Sequence, residues 1–308
     1  MVEILVTGGA GFIGSNLCRH LVAAGHGVTV IDDLSTGAEV NLDGVPVRLV
    51  VGSITDPATV GDAAAGVDVV VHLAARGSVP RSIAEPVATH DVNTTGTLYV
   101  LEAARAVGAQ VIVASSSSVY GANPELPKHE GLVPRPVSPY AATKLATETY
   151  ALAWGHSYGM DVLAFRFFNV FGPRQPAGHV YAAVIPKFVA AALAGEPVTI
   201  HGAGTQSRDF TFVDSVCAAI TDAIARRVTS PTPVNLAFGN RITLLEALDQ
   251  LEAITGRPVA RDHVDPRAGD VPHSQADTTR LCELFPGIAP VPFADGLRAT
   301  VDWMRTQL

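Results

Sequence analysis

The chain has 308 residues, of which 48% are hydrophobic and 16% are charged, and this balance excludes a disordered or tail-dominated protein. Its formal net charge of -8 argues against binding to nucleic acid or to anionic membranes. The three cysteines lie far apart in sequence, which favours a reduced intracellular protein without a disulfide framework. Neither a signal peptide nor an apolar stretch long enough to span a bilayer is recognisable, so we expect a cytoplasmic protein.

Short apolar runs in the first half of the chain predict β-strands, and longer helical patterns separate them. The predicted strands are Ile4 to Thr7, Val28 to Asp32, Val47 to Val51, Val67 to Leu73, Val111 to Ser115 and Val162 to Arg166. Strands without polar alternation are typical of a parallel sheet that helices cover on both faces. The sequence therefore predicts a doubly wound α/β fold, in which ligands bind at the carboxyl ends of the strands.

The rhythm of the pattern changes after Gly172 and Pro173, and we place a domain boundary there. Residues 1–172 are predicted to form the larger domain and residues 173–308 a smaller one, with about 209–238 returning to the first sheet. Predicted elements of the second part are helices near Val184 to Ala194, Val213 to Val228 and Leu244 to Ile254, and strands near Val198 to His201, Phe210 to Phe212 and Val234 to Ala237.

A glycine-rich loop, Thr7 to Gly14, follows the first predicted strand and precedes a helical run from Ser15 to Ala24. Such a turn presents backbone N–H groups and the positive end of the helix dipole to a pyrophosphate. A plain tight turn is the alternative, because the Gly-x-x-Gly-x-x-Gly spacing is weak evidence alone. The second strand supports the dinucleotide interpretation, since it ends in Asp32 and Asp33, which can accept hydrogen bonds from a ribose. An acidic residue there also repels a 2′-phosphate, so NAD is favoured over NADP.

Tyr140 and Lys144 lie four residues apart in a predicted helix, so they share one face. The preceding strand ends in a serine run, residues 115–118, at the same edge of the sheet. Tyrosine accepts a proton near neutral pH only if its pKa of about 10 falls by roughly three units, or about 4 kcal/mol. One charge about 4 Å away supplies about that much, and Lys144 and an oxidised nicotinamide are both candidates. The alternative is that the Tyr-x-x-x-Lys spacing arises by chance and has no function. Beside the glycine-rich loop, however, the serine run, Tyr140 and Lys144 together predict hydride abstraction from a secondary alcohol.

At this point the residues resemble the extended short-chain dehydrogenase/reductase family, and within it the NAD-dependent nucleotide-sugar epimerases. The likeness covers nearly the whole chain. Its segments are the glycine loop, the serine run, Tyr140 with Lys144, and residues 72–75, 93–97, 166–175, 207–210 and 267–270. This resemblance implies that Ser116, Tyr140 and Lys144 are catalytic, with Tyr140 as the base and Lys144 also binding the ribose.

The resemblance also implies two sets of binding residues. For NAD they are Gly8, Gly11, Phe12, Ile13, Gly14, Asp32, Asp33, Ser35, Thr36, Gly37, Ser53, Ile54, Leu73, Ala74, Ala75, Arg76, Asn93, Ala114, Tyr140, Lys144, Phe167 and Val170. For a UDP-sugar they are Ser78, Ser116, Tyr140, Asn169, Ala183, Val184, Thr199, Ile200, His201, Arg208, Arg267, Asp270 and Ser274. Among these, Arg208 and Arg267 are expected to grip the diphosphate, because a planar guanidinium binds phosphate oxygens bidentately.

The family mechanism implied is a transient oxidation at the sugar C4, followed by rotation of the 4-keto sugar and return of the hydride to its other face. Relatives that dehydrate or decarboxylate carry acidic residues where this chain has Ser117 and Ser118, which disfavours both reactions. UDP-glucuronate epimerases stay open, although Pro176 replaces the arginine that they use for the carboxylate. Segments near residues 77–82, 181–187 and 267–277 resemble bacterial UDP-N-acetylglucosamine 4-epimerases, and the small Ser274 leaves room for a 2-acetamido group.

Two classes of function therefore stand. The first is a catalytic UDP-hexose 4-epimerase that accepts N-acetylated sugars as well as UDP-glucose and UDP-galactose. The second is a non-catalytic NAD-binding sensor on the same fold, against which the intact Ser116, Tyr140 and Lys144 set speaks. Alanine-rich helices near Val92 to Ala106 and Ser138 to His156 imply, through the resemblance, a homodimer. No spacing of histidines indicates a metal site.

Overall fold

A computed structural model describes residues 1–178, 182–265 and 272–307, and its centre is a sheet of seven parallel strands. The strands of the described residues are β1 (Glu3–Thr7), β2 (Gly27–Asp32), β3 (Arg48–Val51), β4 (Val69–His72), β5 (Gln110–Ser116), β6 (Val162–Phe167), β7 (Val170–Phe171), β8 (Val198–His201), β9 (Ser207–Arg208), β10 (Thr211–Phe212), β11 (Val234–Leu236), β12 (Ile242–Thr243) and β13 (Arg261–Val264). The central sheet has the order β11-β6-β5-β4-β1-β2-β3. The predicted doubly wound α/β class is confirmed.

Helices cover both faces of this sheet. The helices of the described residues are α1 (Phe12–Ala23), α2 (Pro57–Ala64), α3 (Val79–Ala84), α4 (Pro86–His90), α5 (Gly96–Val107), α6 (Pro139–Tyr158), α7 (Val184–Ala194), α8 (Val213–Ala225), α9 (Leu244–Thr255), α10 (Thr279–Leu284) and α11 (Phe293–Arg305). The central β1 shows why the strands lack polar alternation, because Ile4, Leu5 and Val6 are all fully buried beneath helices on either face.

The strand order reverses at β1, which pairs with β2 on one side and with β4 on the other. In open parallel sheets, the loops that leave such a switch point diverge and open a crevice at the carboxyl ends of the strands. The glycine loop follows β1 and the segment after His72 follows β4, so both border this crevice. The fold therefore predicts a ligand site there.

Several elements differ from those expected from the sequence. The helix expected from Val92 is divided into a π-helical turn, Asp91–Thr95, and α5. The short α3 and α4 were not predicted, and each has a proline in its first turn, Pro80 and Pro86. Residues 209–238 were expected to return to the first sheet, and within them β11 lies beside β6, with Val234 paired to Phe165.

One hydrophobic core runs across the boundary expected after Gly172. Phe171, Phe210, Phe212 and Phe293 form an aromatic cluster whose contacting ring centroids lie 5.1 to 6.1 Å apart. Phe293 opens the last helix, α11, so the end of the chain packs against β7 and β10 beside the cleft. In residues 1–178, 182–265 and 272–307, no helix combines the length and apolar character needed to cross a bilayer.

Candidate functional site

A cavity of about 560 Å³ lies at the carboxyl ends of the central strands. It brings together segments that are far apart in sequence: the glycine loop, the end of β2, the segment after β4, the end of β5 and the start of α6. The predicted residues that line it are Gly8, Gly11, Phe12, Ile13, Gly14, Asp32, Asp33, Ser35, Thr36, Ile54, Leu73, Ala74, Ala75, Arg76, Ser78, Ala114, Ser116, Tyr140, Lys144, Phe167, Asn169, Val170 and Ala183.

The glycine loop is close-packed at two positions where a side chain cannot fit. A Cβ on Gly14 would lie 2.2 Å from the Gly8 carbonyl oxygen, and one on Gly8, at φ +72°, would lie 2.8 Å from the Ala74 backbone. These contacts hold the N-terminus of α1 against the end of β1, where the free N–H groups of the first turn face the cavity. The loop therefore fits the pyrophosphate of a dinucleotide.

The two aspartates at the end of β2 differ in their surroundings. Asp32 is buried and accepts hydrogen bonds from the Ala10 and Leu34 backbone N–H groups, both at 2.9 Å, so it ties the glycine loop to β2. Burial raises the pKa of Asp32 despite these bonds. Asp33 is exposed and accepts a 2.6 Å bond from the Ser35 hydroxyl. Both carboxylates line the cavity, as a ribose partner must.

Ser116, Tyr140 and Lys144 meet on one wall of the cavity. Ser138 caps α6 by accepting from the Ala141 N–H at 3.2 Å, and this starts the helix so that Tyr140 and Lys144 face β5. Lys144 is buried, and its Nζ donates to the Ala114 carbonyl oxygen at 2.9 Å. The Ser116 side chain hydrogen-bonds the Tyr140 hydroxyl. The arrangement can carry a proton between a bound alcohol, the phenol and the serine hydroxyl.

The pKa of Tyr140 departs from the sequence-based expectation. Burial raises it above the ordinary value of 10.0, and the Ser116 hydrogen bond offsets only part of this. Burial also lowers the pKa of Lys144 to about 8, so the amine stays charged at neutral pH. Lys144 and an oxidised nicotinamide were the two candidates for the charge that lowers the Tyr140 pKa. Lys144 does not produce that fall in the protein by itself, because desolvation of the phenolate outweighs the hydrogen bond that favours it.

A buried ion pair lies directly behind this wall and was not predicted. Arg166 on β6 donates to Glu148 on α6 through two bonds, of 3.0 and 2.6 Å, and both side chains are 3% exposed. Glu148 also accepts a 2.6 Å bond from the Ser115 hydroxyl, which lies 3.3 Å from the Lys144 carbonyl oxygen. The Arg166 guanidinium lies 4.7 Å from the centre of the Tyr120 ring. The pair thus joins α6, β5 and β6 behind the wall that carries Ser116, Tyr140 and Lys144.

Three residues predicted to contact NAD lie beside the cavity without lining it. Asn93 is buried, accepts from the Arg76 backbone N–H at 2.7 Å and donates to Thr143 at 3.0 Å. It therefore holds the segment after β4 against α6. Ser53 hydrogen-bonds Thr55 at 2.8 Å, and a Cβ on Gly37 would lie 2.8 Å from the Ala10 backbone.

A smaller cavity of about 200 Å³ adjoins the first and shares Asn169 with it. The predicted substrate residues that line it are Asn169, Val184, Thr199, His201 and Arg208. Ile200 is fully buried in the core. Ser274 lines neither cavity, but its backbone N–H donates to the Ser207 carbonyl oxygen at 3.0 Å, beside the strand that carries Arg208. Arg267 and Asp270 lie outside the described residues.

Other residues line the main cavity although they were not predicted to bind a ligand. Some are neighbours of predicted residues, and the others lie in segments or at positions that the sequence analysis had singled out. They are Ile31, Gly52, Gly77, Arg81, Val92, Ser115, Gln175, Pro176 and Ala182. The sequence thus carried a signal for Gly77 and Arg81, which lie inside a segment that resembles the family. Ser78 between them has φ +91°, a conformation rare for serine, and its hydroxyl caps α3 by accepting from the Arg81 N–H.

Comparisons with known proteins agree with this geometry. A family model described as the NAD dependent epimerase/dehydratase family matches residues 4–237. The UDP-glucose 4-epimerase of Mycolicibacterium smegmatis is 37% identical over 99% of this chain and 99% of that protein. Among solved structures, this chain is similar to a UDP-N-acetylglucosamine 4-epimerase of Methanobrevibacter ruminantium in complex with UDP-N-acetylmuramic acid, with a TM-score of 0.95 and 37% sequence identity. The match covers 100% of this chain and 99% of that protein's chain. A Thermotoga maritima UDP-glucose 4-epimerase with UDP-glucose has a TM-score of 0.93, 35% identity and 99% coverage of both chains.

Proposed function

This chain belongs to the NAD dependent epimerase/dehydratase family and is an NAD-dependent enzyme, and from that premise we propose that it is a 4-epimerase of UDP-hexoses. We further propose that it accepts UDP-N-acetylglucosamine and UDP-N-acetylgalactosamine as well as UDP-glucose and UDP-galactose. The observation that carries the proposal is the meeting of Ser116, Tyr140 and Lys144 with the glycine loop in one cavity.

We propose that NAD binds in the larger cavity and the UDP diphosphate in the smaller one. The glycine loop, Asp32 and Asp33 would hold NAD, with Lys144 at its ribose, and all of these residues come before residue 173. Arg208 in the smaller cavity would hold the UDP diphosphate, since its guanidinium can pair with two phosphate oxygens. Asn169 borders both cavities, so the sugar would lie between them and beside Tyr140.

The chemistry proposed for the protein's own groups is movement of one proton. When bound, NAD supplies a hydride acceptor that takes the hydrogen from the sugar C4 and later returns it. Tyr140 would take the C4 hydroxyl proton and give it back, while Ser116 would hold the sugar oxygen through a hydrogen bond. A loosely held sugar on a firmly held diphosphate could then rotate between the two steps, because the binding free energy comes from the nucleotide.

One observation favours epimerisation over the other reactions in the family, and a second favours a neutral hexose over a glucuronate substrate. Ser117 and Ser118 follow Ser116 without an acidic residue that could assist loss of water or carbon dioxide. Pro176, with no positive charge to offer a carboxylate, lines the cavity. Similarity to the UDP-N-acetylglucosamine 4-epimerase of M. ruminantium supports acceptance of the acetamido group.

Product analysis tests the proposal. The enzyme, with NAD added, is incubated separately with UDP-N-acetylglucosamine, UDP-glucose and UDP-glucuronate, and the products are separated by chromatography. We expect C4 epimers from the first two substrates. Epimerisation of UDP-glucuronate alone would refute the substrate assignment. Absence of turnover with all three would refute the UDP-hexose assignment, move the search to other nucleotide sugars and favour the alternative of an NAD-binding sensor.

Two matched tyrosine variants test the assignment of the base. Tyr140→Phe is expected to lower kcat by at least about 100-fold, the usual contribution of a positioned acid-base group, and to retain binding of UDP. Tyr158→Phe on the same helix is the control, because Tyr158 is 53% exposed and should leave turnover unchanged. Turnover by Tyr140→Phe at the rate of the control would exclude Tyr140 as the base.

A further inference from the structure

We propose that Asp209 is a positioning residue that joins three separate segments at the substrate end of the cleft and thereby fixes Asn169 and Arg208. The inference rests on the proposed function, in which these two residues hold the nucleotide sugar. Asp209 follows β9 directly and lines neither cavity, so its effect on a bound ligand must pass through its neighbours.

The carboxylate of Asp209 is fully buried and is surrounded by backbone donors. Its Oδ2 accepts from the Gly239 and Ala276 N–H groups, each at 3.0 Å, and its Oδ1 accepts from the Asn240 N–H at 3.2 Å. An unpaired buried carboxylate is very costly, whereas one with several N–H donors gains strong charge-assisted bonds. These bonds hold residues 239–240 and residue 276 to the end of β9.

The anchored segments carry the residues of the proposed UDP site. The Asp209 carbonyl oxygen accepts from the Asn169 Nδ2 at 3.2 Å, which fixes the amide that borders both cavities. Arg208 donates through Nη1 to the Pro272 carbonyl oxygen at 3.3 Å, so its guanidinium rests on the segment that Asp209 holds through Ala276. Asp209 therefore sets the distance between Arg208 and this segment.

The site of NAD contacts different parts of the molecule. The glycine loop is fixed by Asp32 and by its own close packing, and none of the bonds of Asp209 described above reaches it. Replacing Asp209 with asparagine keeps the shape of the side chain but turns one acceptor oxygen into a donor that faces backbone N–H groups. A positioning role therefore predicts a selective loss of UDP binding, whereas a general structural role predicts that both ligands bind more weakly.

Calorimetric titration of UDP into NAD-loaded protein tests the inference. For Asp209→Asn we expect the Kd for UDP to rise about tenfold or more, while the Kd for NAD stays within about twofold of the wild type. KM for the sugar substrate should rise more than kcat falls. The exposed Asp62 provides a matched control, and Asp62→Asn should bind both ligands as the wild type does. Gln275→Ala breaks a neighbouring bond to the Gly239 carbonyl oxygen and should have the smaller effect.

The outcomes separate this inference from the proposed function. If the wild type does not bind UDP, the proposed function fails and the role of Asp209 falls with it. If the wild type binds UDP and Asp209→Asn binds it equally well, only the positioning role is overturned. Should Asp209→Asn not fold, Asp209→Ser, which introduces no amide donor, is titrated with the same expectation. Failure of both variants to fold with NAD present would overturn the positioning role in favour of a purely structural one.

Discussion

The buried pair of Glu148 and Arg166 allows a quantitative prediction of stability. Arg166→Met fills similar space but removes both hydrogen bonds to Glu148 and the cation above Tyr120. Glu148, 3% exposed, is then left with the Ser115 hydroxyl in place of a positive charge. Breaking a buried pair in this way typically costs about 3–5 kcal/mol.

This cost converts into a change in melting temperature. With an unfolding entropy of about 2.1 cal/mol/K per residue, a chain of 308 residues unfolds with about 0.65 kcal/mol/K, provided that it unfolds cooperatively. Arg166→Met should therefore melt roughly 5–8 °C below the wild type. Differential scanning calorimetry at pH 7 without added cofactor measures this directly.

Two further variants show whether the loss comes from the unpaired charge. Glu148→Gln combined with Arg166→Met removes both charges and should recover most of the lost stability. Arg305→Met removes one member of an exposed pair, Arg305 with Asp302, and should cost less than about 1 kcal/mol. If Arg166→Met melts within about 1 °C of the wild type, or if the double variant is no more stable than the single one, the explanation is wrong.

Three other predictions follow from buried groups and from close packing. Burial lowers the pKa of Lys144 from 10.5 to about 8, so the folded chain binds fewer protons than the unfolded chain between these pH values and gains stability as the pH rises through them. Lys144→Met should therefore stabilise the cofactor-free protein by about 2 kcal/mol at pH 7 while abolishing turnover. A lower melting temperature for this variant would contradict the prediction. Burial lowers the pKa of His72 from 6.5 to about 3, so stability that is present above pH 6.5 is lost as the pH falls toward 3. In urea titrations, the free energy of unfolding of His72→Gln should fall by about 3 kcal/mol less than that of the wild type between pH 6.5 and 4. Gly14→Ala should raise the Kd for NAD at least about tenfold and lower the free energy of unfolding by about 2–3 kcal/mol. Gly61→Ala is the control, because a Cβ there meets nothing within 4 Å, and it should raise the free energy of unfolding by about 0.5–1 kcal/mol. Equal melting temperatures for the two variants would refute the packing argument.

The strands of the central sheet and the glycine loop could be predicted because their signals are local. Ile4 to Thr7 and Val28 to Asp32 are apolar runs of strand length, and the glycine loop is one continuous segment with a strand before it and a helix after it. The short α3 was not predicted, because Pro80 occupies its first turn, where no N–H bond is lost, and a six-residue helix carries no periodic signal.

The contacts of the site that cross the fold could not be predicted from spacing. Asp209 and its donor Ala276 are 67 residues apart, and Ser115 and Glu148 are 33 apart, so no periodicity connects them. The pKa of Tyr140 was expected to fall because a charge four residues along the helix can be inferred from sequence. The opposing desolvation depends on how tightly the two walls of the cleft close, which only the assembled fold determines.

The aromatic cluster around Phe171 has a consequence for how the polypeptide reaches its native state during synthesis. Phe293 enters this cluster from α11, so the cluster stays incomplete until α11 has left the ribosome. A nascent chain that already contains the glycine loop but lacks α11 still exposes part of Phe171, Phe210 and Phe212 to water. We expect such chains to depend on chaperones and to become resistant to proteases only after α11 has emerged, although domains generally fold in order as they emerge.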